Sequence, residues 1–184
     1  MIRRVVIAIM VLSFGLSAAT AGDTVFENEI VADGIPLKLN GSGVREKFWI
    51  DLYAVGLYLP KKERDAQKIL EAKEPQLLRL VIVSSFISDK TMRKGIMEGF
   101  EKATGGDLAP LKSRIAKFVE SFADRIEKGD VFELFYRPGS GLLIVKNGKE
   151  VETIEGDDFK RALFAIWLGD KPAQKRLKEN LLGK

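Results

Sequence analysis

The feature that most restricts the fold is the order in which two hydrophobic periods follow one another along the chain. From Thr24 to Pro60 the apolar residues come in short alternating or continuous runs, "TVFENEIVADG", "IPLKLNG" and "KFWIDLYAVGLYLP", each closed by glycine or proline. Runs of this kind form strands, because successive strand side chains point to opposite faces. A short helix is predicted in "RDAQKILEAKE", followed by a buried strand in the β-branched segment "LLRLVIVSSF". The spacing then becomes near-fourfold. Met92, Ile96, Phe100 and Ala103 share one face of a helix capped by Ser88 and stopped at Gly105-Gly106. A second helix is expected from Asp107 as N-cap, with Leu108, Leu111, Ile115, Phe118, Val119, Phe122 and Ile126 on one wide apolar face before Gly129. Strand spacing returns in "DVFELFYR" and "GLLIVKNGKEVETI", where Asn147-Gly148 is a two-residue hairpin signal. Helical patterns close the chain in "DDFKRALFAIWLG" and "KPAQKRLKENLLG".

Strands, a helical pair, strands again and helices last define an α+β protein, in which a large antiparallel sheet is covered on one face by helices. Alternating strands fit a sheet with two unequal faces. No repeat, low-complexity tract or linker divides the sequence, so residues 22–184 are expected to form one domain with a real core. Residues 1–21 have the pattern of an export signal: "MIRR" is the positive start, "VVIAIMVLSFGLS" the apolar run, and Ala19-Thr20-Ala21 the small-residue cleavage site. The expected location is therefore outside the cytoplasm, and the periplasm if the source is a Gram-negative bacterium. The apolar run is short for a membrane span and there is no cysteine to carry lipid, so no stable anchor is expected after cleavage. Removing the signal takes away two arginines and no acids. The 30 basic residues fall to 28 against 26 acidic ones, and the net charge falls from +4 to +2.

Composition restricts the chemistry. The chain has no histidine and no cysteine, which excludes histidine-based triads, thiol nucleophiles, disulfides and the usual zinc sites. Acidic residues nowhere take calcium-loop spacing, so no metal and no cofactor is expected. Basic and acidic residues are interleaved along most of the sequence. That is the pattern of a solvated surface and gives no basis for nucleic-acid binding.

The segment "GSGVREKFWIDLYAVGLYLP", residues 41–60, poses the main question about a site. Arg45 is either an anion holder or the arginine of a solvated hairpin tip, and Tyr53 either a ligand contact or a strand aromatic packed on a helix. On one straight strand the two side chains would be roughly 26 Å apart at ~3.3 Å per residue. Sharing one ligand group therefore requires a bend or hairpin between them. Asp51 has the strand parity of Trp49 and Tyr53, which leaves open whether it faces water or a buried partner. Gly95 and Gly99 lie four apart in the first long helix, where each costs about 1 kcal/mol relative to alanine. Close packing of the helix on the sheet and room for a ligand both explain such a pair. "RPGSG" near residue 137 is too short for a phosphate loop and reads as a β-turn.

Taken in order, "GSGVR", "LYAVGLYL", "SDKTMRKGIMEGF", "FVESFADRIEKGDVFELFYRPGSGLLIVKNGK" and "ALFAIWLGDKP" resemble the chalcone isomerase-like family over nearly the whole mature chain. The resemblance implies an open-faced β-sandwich with a ligand cleft between sheet and helices. The family includes plant enzymes that cyclise chalcones, relatives that bind fatty acids, and members without demonstrated chemistry, so the fold alone does not select a function. Cyclisation needs a stabilised oxyanion and an oriented substrate. By the resemblance, the family's arginine matches Arg45, while its ketone-polarising threonine falls on Tyr53. The catalytic-site tyrosine falls on Met92, the asparagine on Gly99, a strand lysine near Val83, and the pair closing the site on Ile166 and Trp167. Only the arginine is retained, and the loss of two positioned hydrogen-bonding groups lowers such a rate by orders of magnitude.

The replacements exchange polar groups for apolar surface or empty space. The expectation is a noncatalytic protein that binds a fatty acid or similar small acidic amphiphile. Arg45 and Tyr53 would hold the head group, and Met92, Ile96, Gly99, Ile166 and Trp167 would line the apolar part. The fatty-acid-binding branch of the family likewise pairs an arginine with a tyrosine at these positions. Two alternatives stand beside this reading: an intramolecular lyase with Arg45 as oxyanion stabiliser, and an interaction module whose cleft is vestigial.

Overall fold

The computed structural model describes residues 18–184. Seven of its nine strands form one antiparallel sheet in which every strand neighbours the next in sequence. These are β3 (Glu29–Ala32), β4 (Ile35–Lys47), β5 (Ile50–Leu59), β6 (Gln76–Ile82), β7 (Val131–Arg137), β8 (Gly141–Lys146) and β9 (Lys149–Ile154). A separate ribbon pairs β1 (Ala18–Ala21) with β2 (Thr24–Glu27). The expected export segment lies outside the described residues apart from Ala18–Ala21, which is β1. Five α-helices complete the described residues: α1 (Ala66–Glu71), α2 (Asp89–Ala103), α3 (Lys112–Glu120), α4 (Asp157–Leu168) and α5 (Lys175–Leu181). This is the open-faced sandwich expected from the order of hydrophobic periods. None of the helices among the described residues is long and apolar enough to cross a membrane.

The two faces of the sheet differ as the alternation requires. Val55, Leu57, Leu78, Leu80, Phe132, Leu134, Leu142 and Ile144 face the helices, while Leu37, Leu39, Ala54, Tyr58, Leu77, Phe135, Leu143 and Val145 face the other way. The β1–β2 ribbon covers part of that second face. Phe26 packs on Gly56, where an added Cβ would come within 2.7 Å of its ring. Arg79 of β6 is opposite Glu133 of β7, and its guanidinium reaches Glu133 at 2.8 Å and Glu27 of the ribbon at 3.1 Å.

Local chemistry fixes the helix ends. The Ser88 hydroxyl accepts from the Thr91 amide, and the Thr91 hydroxyl accepts from the Ser88 amide at 2.8 Å, a reciprocal cap. Gly105 and Gly106, with φ of +67° and +95°, end α2 as expected. The second helix is shorter than predicted. The Asp107 carboxylate accepts from the Ala109 amide, and a 3-10 turn at Ala109–Leu111 comes before α3 begins at Lys112. It stops at Glu120, where the Phe122 and Ala123 amides turn back to carbonyls three residues earlier and the Ser121 hydroxyl bonds the Lys117 carbonyl. Phe122 and Ile126 are buried from the irregular segment that follows.

Two irregularities in β4 and β5 decide what faces the helices. At Asn40 the register shifts, so Leu39 pairs with Tyr58 but Gly41 pairs with Leu57. This bulge moves the odd-numbered residues of β4 from the ribbon face to the helix face. Asn40 holds it with three bonds: to the Leu181 carbonyl at 2.7 Å, to the Glu63 carbonyl at 2.9 Å, and from the Glu63 amide at 2.8 Å. Helix α5 lies directly on β4 there. A Cβ at Gly41 would meet the Asn180 carbonyl oxygen at 2.0 Å, and one at Gly43 the Leu177 side chain at 2.8 Å. The glycines of "GSGVR" therefore permit a helix to approach the strand. The second register shift, between Arg45 and Glu46, absorbs Leu52. The hairpin turns at Phe48 and Trp49, whose φ values of +53° and +62° place two bulky residues in the left-handed region. That conformation costs roughly 1–2 kcal/mol for each such residue.

Candidate functional site

The hairpin supplies the bend that the sequence left open. Arg45 and Tyr53 are directly opposite one another on β4 and β5, which places their Cα atoms about 4.5–5.5 Å apart. Tyr53 faces the helices with Val55 and Leu57, Arg45 does so because of the Asn40 bulge, and both line a cleft of about 340 Å³ between the sheet and α2 and α4. The volume is at the lower end of small-molecule sites. Met92, Ile96, Gly99, Ile166 and Trp167 line the same cleft, so the structure brings all seven sequence-derived residues together. Asp51 is exposed, opposite Glu46 on the outer part of the hairpin.

Arg45 is half-buried. Its Nη1 donates to the Glu46 carbonyl and, at 3.4 Å, to the Gln174 side-chain oxygen, which also accepts from the Glu46 amide at 3.0 Å. Gln174, at the start of α5, thus holds one corner of the guanidinium. Among the described residues no carboxylate pairs with Arg45, and its Nε and Nη2 have no partner. Of the other charges in the lining, Lys47 and Lys102 likewise have no carboxylate within ion-pair distance among the described residues, while Glu98 is paired with Lys94 at 3.9 Å. The cleft mouth therefore carries uncompensated positive charge.

The Tyr53 hydroxyl accepts from the Trp167 indole N–H at 3.0 Å. Burial raises the phenol's pKa, against the lowering effects of the Trp167 bond and the Arg45 charge. Tyr53 stays protonated at neutral pH, and its own hydrogen has no acceptor among the described residues. The two nearest polar groups in the cleft are thus both donors. Trp167 is a wall rather than a plug: its indole is tied to Tyr53 at one side, and it is only 6% exposed. The apolar floor is formed by Leu80, Leu134, Phe118, Phe122 and Leu163.

The two helix glycines separate in role. A Cβ at Gly95 would meet nothing within 4 Å, so its missing side chain is open cleft. A Cβ at Gly99 would come within 2.9 Å of Ile166, so this glycine serves the packing of α2 on α4. The expected close approach to the sheet is in fact an approach to a helix, and the space left by Gly99 is filled by Ile166.

Sequence reasoning missed Gln174, Phe48, Phe86, Lys47 and Lys102. Gln174 is far from Arg45 in the chain and lies in no periodic pattern, so nothing local marks it. Phe86 had a signal, an aromatic in the polar stretch "SSFIS" just before a helix cap.

Fold and cleft together define an open-faced sandwich with an amphiphilic pocket whose polar end is cationic and donor-rich. A family model described as chalcone isomerase-like matches residues 18–183, and the chain belongs to that family. No curated protein sequence gives a significant match. The crystal structure of a fatty-acid binding protein from Arabidopsis thaliana superposes with a TM-score of 0.72, covering 90% of this chain and 96% of that one at 18% identity. The likeness shows that the two share a fold.

Proposed function

We propose that this protein is an exported, noncatalytic member of the family that binds a fatty acid or a similar small acidic amphiphile. One observation carries the reading. Arg45 and Tyr53 stand side by side at the mouth of an apolar cleft, the first without a carboxylate partner and the second with an unused O–H. A carboxylate accepts from both, a guanidinium can offer two parallel N–H groups, and the walls beyond take a hydrocarbon chain. Gly95 leaves room along α2, and the lining from Thr91 to Lys102 runs roughly 16 Å along the helix axis at ~1.5 Å per residue. The Arabidopsis protein of the same fold is itself described as a fatty-acid binder, which supports this choice within the family. Against turnover, the positions of the family's catalytic tyrosine and asparagine carry Met92 and Gly99.

Mass spectrometry of lipids released from the purified protein, compared with Arg45→Ala, tests the reading. A bound fatty acid is expected, with affinity falling on the order of 10- to 100-fold in the variant as a charge-assisted contact is lost. An empty cleft together with no thermal shift from any fatty acid would sink it. Chalcone turnover abolished by Arg45→Ala would favour the lyase instead. The intact mass of protein recovered from the exported fraction tests export, the expected first residue being Gly22, a cleavage that would remove β1 from the ribbon.

A further inference from the structure

Phe48, Trp49 and Phe86 are 78%, 92% and 72% exposed, and they are the exposed aromatic residues of the described chain. Two of them belong to the cleft mouth and the third adjoins it. Phe48 and Phe86 line the cleft itself, and Trp49 is next to Phe48 at the tip of the β4–β5 hairpin. Their exposure adds nothing to the core. The tip also holds Phe48 and Trp49 at positive φ, where asparagine and glycine are favoured, so the fold keeps two bulky aromatics in a conformation that disfavours them. Backbone strain retained at an exposed tip marks a position whose use lies outside folding.

The charged residues that line the cleft beside the tip are mostly cationic. Lys47 is on the rung nearest the turn, opposite Ile50, with its ammonium 5.7 Å from the centre of the Phe48 ring. Glu46 and Asp51 are one rung further back. Arg45, Lys47 and Lys102 line the cleft without carboxylate partners among the described residues, and Glu98 is already paired with Lys94. Aromatic side chains with adjacent lysines are the residues that settle at a lipid–water boundary, and their binding grows with buried apolar area and with anionic lipid.

We propose that this rim is a membrane-docking surface. Phe48, Trp49 and Phe86 enter the headgroup boundary of a bilayer containing anionic lipid, and Lys47 and Lys102 meet its phosphates. The cleft then opens onto the acyl layer, so an amphiphile passes between bilayer and cleft without crossing water. The purpose of the docking, though not the docking itself, rests on the lipid-binding reading above.

Tryptophan emission of the purified protein, titrated with vesicles of phosphatidylglycerol and phosphatidylethanolamine free of fatty acid, tests this directly. The chain has two tryptophans, and Trp167 is already buried, so the change reports Trp49. The expected result is a blue shift quenched by acyl-brominated lipid and weakened by high salt or by phosphatidylcholine alone. Trp49→Ser should lower vesicle partition about tenfold, the loss expected for one aromatic side chain leaving an apolar boundary. Its affinity for a soluble fatty acid, measured without vesicles, should stay unchanged. Absence of partition, partition indifferent to Trp49→Ser, or a blue emission without vesicles that disappears on dilution would each overturn the proposal, the last by showing a second copy over the tip. A protein that docks but binds no fatty acid keeps this inference and removes the functional one; binding without docking does the reverse.

Discussion

Lys160 of α4 carries a charge into the core, where it is 1% exposed, and finds three backbone carbonyls there. Its ammonium donates to the carbonyls of Ile69 at 2.8 Å, Leu70 at 3.1 Å and Ala72 at 3.0 Å, one for each proton, at the end of α1. The rings of Tyr136 and Phe164 face the same ammonium at 5.0 and 5.4 Å. One side chain thus closes the exposed end of a short helix and ties it to α4. Lys160→Ala should lower unfolding free energy by about 3–4 kcal/mol, combining a cavity with stranded acceptors. Urea denaturation reads the loss, and amide exchange should show α1 opening first. Nothing in the sequence marked Lys160, because a lysine in an apolar helix face looks like a pattern error until its carbonyl partners, about ninety residues away, are seen. Arg45 and Tyr53 were legible as site residues through their motif positions, but their pairing was not. The turn between them is made by Phe48 and Trp49, which carry none of the usual hairpin chemistry.

Among the elements, strands and most helices could be read because each has one buried face and a clear period. The Asn40 bulge could not. Alternation continued from Leu37 and Leu39 would have put Arg45 on the ribbon face, and only the register shift turns it toward the cleft. The second helix was read too long because Phe122 and Ile126 keep an apolar spacing after the backbone has left the helix; burial, not helicity, holds them. The glycines of α2 give a prediction with opposite signs. Gly95→Ala adds a methyl to open space in a helix and should raise stability by about 0.5–1 kcal/mol while narrowing the cleft and weakening ligand binding. Gly99→Ala should lower stability by about 1–2 kcal/mol, since its methyl meets Ile166 in a packed contact. Paired thermal melts with and without a fatty acid separate the two effects. Two variants shifting in the same direction would contradict this division of roles between the two glycines.

For the molecule as a whole, the titrating groups set how stability changes with pH. Burial draws Lys160 down to about 8, below the ~10.4 of an exposed lysine. Between those values the unfolded chain binds more protons than the folded one, so this group makes stability rise as pH goes from about 8 to about 10. Burial raises the phenols of Tyr53 and Tyr136, the latter to about 12, with the Asp157 bond acting in the same direction. Above ~10 the unfolded phenols ionise first, and their contribution is lost. On the acid side, the Tyr136 and Lys73 bonds hold Asp157 low, and Arg114 holds Asp158 low. Their stabilisation is present above ~4 and lost as pH falls through the lowered values. Melting temperature against pH should therefore fall below ~4, climb between about 8 and 10, and fall again beyond that range. In Lys160→Met the climb should vanish; its persistence would show that another group causes it.

The sheet is a meander in which each strand waits only for the next, but its glycine strip at Gly41 and Gly43 is covered by α5, whose Leu181 carbonyl bonds Asn40 across 141 positions. A chain that emerges from the ribosome N-terminus first shows β4 early and has nothing to lay over its glycines until α5 appears. Gln174, the residue that steadies Arg45, arrives with that same late segment. The end of the cleft around Arg45 is thus incomplete until α5 has been made.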